Sequence, residues 1–202
     1  MLMDRIMKVF TFKTEVFAEV ENDASFTPTA WGIVAVIQVI SQIGAFLAAP
    51  AAAAAAAEMA ESFGVTSPAM AVSPVSIVTG TLTGVLAFAV GAWVVAFVGK
   101  SLFKASVTFE EVVRVMGLAA VWGILGLVTI IAFYVPLLAC VIAPIGLVVW
   151  VLSIVSSAIA IKEALDLEWV PTIVTVVIAW VTIFIATMIL GMIFGIFNGL
   201  LG

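Results

Sequence analysis

The chain has no histidine, one cysteine, one tyrosine and few charges, with only 9% of its residues Asp, Glu, Lys or Arg. Without imidazole it cannot build a histidine-ligated haem or zinc site, nor a Ser-His or Cys-His nucleophile. A lone Cys140 makes neither an internal disulfide nor a paired-thiolate metal site, and reads as a small apolar filler. No glycine-rich Walker loop is present. Two carboxylate pairs do occur. Glu110-Glu111 sits at a helix start, and Glu58 with Glu61 closes an alanine-rich helix, so both read as solvated groups rather than an acid–base couple. The chain is therefore expected to be no enzyme and to carry no metal and no cofactor. Its net charge of −5 is spread over loops, which makes nucleic acid an unexpected partner.

What is abundant is apolar: 65% hydrophobic residues and a mean hydropathy of +1.39 place the chain among polytopic membrane proteins. The longest uncharged stretch, Val115 to Ile161, runs for 47 residues. As a helix it would reach roughly 70 Å against the ~30 Å of a bilayer core, so it must cross twice. The turn is placed at Tyr134-Val135-Pro136, where proline removes a donor and disfavours helix in the residue before it. The fold class expected is all-α: a polytopic membrane helix bundle with five transmembrane helices and an N-terminal amphipathic interfacial helix. Residues 1–29 form a cytosolic N-terminal segment and residues 30–202 one membrane domain, with spans at about 30–48, 75–98, 115–135, 137–161 and 172–197. No cleavable leader is expected, because Asp4, Arg5, Lys8 and Lys13 interrupt the first apolar residues.

Residues 2–20 gather Leu2, Ile6, Val9, Val16, Phe17 and Val20 on one helical face and Asp4, Arg5, Lys8, Glu15 and Glu19 on the other. Such a helix lies in the headgroup boundary or against the bundle. Thr27-Pro28 marks the start of span one, with Thr27 as the cap. After Pro50 the alanine run Ala51 to Ala57 reads as a short separate helix outside the membrane. Thr108-Phe109-Glu110-Glu111 matches a capping box, with Glu110, Glu111 and Arg114 on the wet side of the helix that follows. Pro144 is expected to kink span four. All seven basic residues, Arg5, Lys8, Lys13, Lys100, Lys104, Arg114 and Lys162, fall on one side of this five-span order. The positive-inside rule then predicts a cell-membrane protein with a cytosolic N-terminus and an extracytoplasmic C-terminus.

Within the spans, Gln38, Ser41 and Gln42 form one intramembrane polar face, explained most simply by interhelical hydrogen bonds and otherwise by a ligand or solute path. Ser153, Ser156 and Ser157 carry the same two readings, with backbone back-bonding as the simpler. Gly191, Gly195 and Gly199 recur every four residues and form a packing groove, for which Gly80 and Gly84, or Gly117, Gly123 and Gly126, are candidate internal partners and an external subunit is the alternative. No ionisable group accompanies these faces, which ranks a small carrier below other functions.

In this topology the segment Thr108-Phe109-Glu110-Glu111-Val112-Val113-Arg114-Val115-Met116-Gly117, with Ala158-Ile159-Ala160-Ile161-Lys162-Glu163-Ala164 leaving span four, resembles the Yip-domain family of five-span proteins. Leu118 follows Gly117 where family members often have Tyr, and the eukaryotic Asp-Leu-Tyr-Gly-Pro signature is absent, so the resemblance is to the prokaryotic type. Eukaryotic members bind Rab-type GTPases and shape trafficking membranes. The resemblance implies a non-enzymatic integral membrane scaffold or adaptor, contacting the lipid bilayer and other membrane subunits. The alternative is an accessory subunit of a larger energy-converting or transport complex without its own redox centre.

Overall fold

The computed structural model describes residues 2–65, 73–128 and 135–201, and among them every regular element is a helix. In chain order these are α1 (Leu2–Phe10), α2 (Glu15–Glu21), a 3-10 turn (Ala24–Phe26), α3 (Thr27–Ser62), α4 (Val75–Phe103), α5 (Phe109–Ala119), a 3-10 segment (Ala120–Leu127), α6 (Pro136–Leu165) and α7 (Trp169–Leu201). Four stretches among the described residues are long and apolar enough to cross a membrane: Ala24–Ser62, Val75–Phe103, Cys140–Leu165 and Trp169–Gly195. The segment expected to cross at 115–135 is α5 continued by the 3-10 segment. Its residues 129–134, Tyr134 among them, lie outside the described residues. The helix that follows the expected turn does begin at Pro136.

Several local expectations are corrected. The N-terminal amphipathic stretch is two helices, because the chain turns at Thr11-Phe12-Lys13, where Phe12 takes a left-handed φ of 53°. The Thr11 hydroxyl donates to the carbonyls of Met7 and Lys8 there, and the break lets Phe10 and Phe12 both pack on Trp122, with ring centroids 4.9 and 5.4 Å away. These ring contacts offset the cost of the unusual backbone. The alanine run is no separate helix. α3 continues through Pro50 to Ser62, which gives it a length of about 54 Å. Thr27 does not cap α3; it is the first helical residue, behind Phe26, and its hydroxyl serves another group described below. Cys140 fills no core, since it is exposed on the outside of α6.

The capping box is formed. The Glu111 amide donates to Thr108 Oγ1 at 3.3 Å and the Thr108 amide to Glu111 Oε2 at 2.6 Å. This double bond satisfies two amides at the start of α5, where Val112, Val113 and Val115 are then completely buried. α5 lies close on α3 because position 117 is glycine: a Cβ there would sit 2.9 Å from the Ala30 Cβ and 3.0 Å from the Ala30 carbonyl oxygen. Similar contacts set α4 against its neighbours, Gly91 facing Ile183 of α7 and Gly99 facing Leu165 of α6. In the 3-10 segment, side chains three apart eclipse, and Gly123 with Gly126 relieves one such pair.

Candidate functional site

Two places concentrate polar side chains. The first is the charged end of the bundle, where the start of α3, the ends of α4 and α6 and the start of α5 meet under α1 and α2. The second is a cleft within the helices, among α3, α4 and α7.

At the charged end α2 lays Val16, Phe17 and Val20, all buried, against α5 and α6. Ionic contacts hold α1 to it. Arg5 donates to Glu19 Oε1 and to Asp23 Oδ2, both at 2.9 Å, and stacks 5.0 Å over the Phe26 ring. Lys8 pairs with Asp4 at 2.9 Å and with Glu19 at 3.6 Å. The hydrogen bond from Arg5 holds the Glu19 carboxyl below its ordinary value, and Ser25 followed by Arg5 does the same for Asp23.

Beneath them lies Arg114, expected to be wet and found only 5% exposed. Its guanidinium donates to Thr27 Oγ1 at 3.2 Å and to the main-chain oxygen of Glu21, and reaches Glu111 at 4.0 Å. One side chain thus joins the end of α2, the start of α3 and the first turn of α5. The Glu21 carboxyl is not the atom bound. Burial, with Asp166 and Glu111 nearby, pushes it up to about 7, while Arg114 pulls the other way. The folded state therefore holds a proton that the unfolded chain releases near 4.5, so stability is highest below that value and falls as pH rises towards 7. A Glu21→Gln variant should flatten the fall. Thermal unfolding in detergent between about pH 5 and pH 8 checks this, and equal slopes for both proteins would count against the assignment.

The second place collects residues from three helices. Gln38 and Gln42 of α3 point at α4, where a Cβ at Gly84 would collide with the Gln38 amide and one at Gly80 with the Gln42 amide. The cleft has a volume of about 580 Å³, and Gln38, Gln42, Gly80, Gly84, Gly191 and Gly195 all line it. Ser41 does not; it is exposed on another side of α3. A Cβ on Gly191 or Gly195 would meet nothing within 4 Å, so here these glycines border open space rather than a packed helix. Gly199 lies outside the residues whose side chains are described. Alanine at 191 or 195 is accordingly expected to leave stability unchanged or raise it by up to about 1 kcal/mol through helix propensity, as thermal unfolding would show.

The wall threonines bond within their own helix, Thr79 to Val75 O and Thr83 to Thr79 O. In α6, Ser157 back-bonds to Ser153 O, while the buried Ser156 hydroxyl has no partner among the described residues. The threonines and the open glycine side of the cleft were not legible in the chain, because only the packing of α4 between α3 and α7 brings them together.

A family model for the Yip1 domain matches residues 7–194, from within α1 almost to the end of the apolar part of α7. The chain belongs to the Yip1 domain family. The match takes in α2, Arg114 and nearly all of the polar cleft, while residues 2–6 of α1, Arg5 among them, and Gly195 lie just outside it. No curated protein and no solved structure matched the chain. The domain is a helical, multi-pass type of membrane protein, in keeping with its four long apolar helices.

Proposed function

We propose that this Yip1-domain protein is a non-enzymatic membrane scaffold, crossing the cell membrane five times with its N-terminus in the cytosol. The observation carrying this reading is the platform of α1 and α2, clamped on the charged end by Arg5 and Arg114 yet leaving Met3 and Met7 70% and 56% exposed. A surface held rigidly while its apolar side chains stay unused suits docking of another protein. For the fifth crossing, α5 and the 3-10 segment together reach about 30 Å, the thickness of a bilayer core. The basic residues of α1, of the α4–α5 connection and of α6 favour the cytosolic side for this end.

Mass determination of the particle purified in mild detergent tests the reading. The expected result is an oligomer or a stoichiometric complex that a Met3→Ser/Met7→Ser variant dissociates without altering thermal unfolding. A complex with a cofactor-bearing partner would favour the accessory-subunit role instead. A monomer, or a complex indifferent to the substitutions, would contradict docking at this platform.

A further inference from the structure

The cleft among α3, α4 and α7 is unused by the scaffold reading, and its chemistry is specific. Gln38 and Gln42 lie about 16 and 22 Å along α3 from its start, at membrane depth. Neither amide has a hydrogen-bond partner among the described residues, while the glycines opposite make room for both. An amide left unpaired away from water costs free energy, and a primary amide offers two donors and an acceptor. Thr83 donates to its own helix, which leaves a hydroxyl oxygen on the wall able to accept. Among the described residues, none that lines the cleft is ionisable. A charged group entering it would lose its water without a counter-charge, whereas a neutral hydroxyl can both donate to and accept from the amides.

The remaining walls are apolar, with Phe88, Ile183 and Phe194 beside the amides and threonines. Mainly apolar walls carrying a polar stripe at membrane depth match an amphiphile rather than a free polyol. The volume, about 580 Å³, is that of an ordinary small-molecule site, room for a headgroup and the first part of its chains. We propose that this cleft binds the uncharged, hydroxyl-bearing headgroup of a membrane lipid, with diacylglycerol as the simplest member of the class. Gln38 and Gln42 are the recognising groups, and Gly80, Gly84, Gly191 and Gly195 keep the space open.

The test uses the full chain in phosphatidylcholine nanodiscs containing a diacylglycerol with a photoactivatable diazirine beside its hydroxyl. Crosslinks should map to α3, α4 and α7, and unlabelled diacylglycerol should compete. A Gln38→Leu/Gln42→Leu variant should lose labelling by about tenfold or more, the effect of losing one or two hydrogen bonds to a bound ligand. Because that change also alters packing on α4, a Gly191→Leu/Gly195→Leu variant provides an independent arm: its side chains enter open space, so the chain should unfold at the wild-type temperature yet label as poorly. Labelling spread over all helices, or unchanged in the folded glycine variant, would overturn the proposal. So would equal competition by free glycerol, which would make the site one for a soluble polyol, or by phosphatidic acid, which would show that charge is accepted.

Discussion

Replacing Arg114 with methionine is expected to cost about 3 kcal/mol of stability and to loosen the N-terminal platform from the bundle. Methionine keeps much of the volume, so the loss is one of hydrogen bonds rather than a cavity. The main-chain oxygen of Glu21 and the hydroxyl of Thr27 both lose their donor, and Glu21, Glu111 and Asp166 lose the cation that moderates their repulsion. Lysine should recover less than half of the loss, since a single ammonium cannot reproduce the planar fork that reaches Thr27 and Glu21 together. Unfolding in detergent measures the stability, and protease sensitivity of residues 2–21 reports the loosening. If Arg114→Met unfolds like the wild type, the join between α2, α3 and α5 is not held by this side chain.

The second large effect is expected at Gly117. A methyl group there meets the Ala30 carbonyl at 3.0 Å, a backbone atom that cannot turn aside as a side chain can. Alanine should therefore destabilise by about 1–3 kcal/mol despite its higher helix propensity, and leucine should prevent α5 from docking on α3 at all. The control is Gly195→Ala, which meets nothing within 4 Å. Opposite signs for the same chemical change at the two positions would locate the effect in helix contact. Equal effects would mean that α3 and α5 can separate at little cost.

How much of this the sequence held depends on the range of the interaction. The capping box joins Thr108 and Glu111, only three positions apart, and its residue types alone specify it. The gathering of basic residues into three stretches, at positions 5–13, 100–114 and 162, is likewise readable without a fold. Local sequence puts Arg114 on the wet side because its partners Thr27 and Glu21 lie 87 and 93 residues away, and nothing local says that α2 will cover it. The break at Phe12 carries no glycine or proline, so the aromatic contacts with Trp122 that compensate for its backbone appear only in the folded chain. By sequence alone Pro50 reads as a helix stop. It remains inside α3, showing that proline's missing donor does not end a helix whose other turns continue to bond. Spacing placed Gln38 and Gln42 on one face, but the glycines and threonines that make that face a cleft come from α4 and α7.

The central claim is that the charged end, with α1, α2 and Arg114, faces the cytosol, while the far end of α3 emerges on the opposite side. Single cysteines in a Cys140→Ser background test it directly, one replacing Ser62 at the end of α3 and one replacing Ala105 between α4 and α5. With a membrane-impermeant maleimide, position 62 should label on intact cells and position 105 only after permeabilisation. Labelling of both positions from outside, or of 105 alone, would contradict the topology and the scaffold built on it.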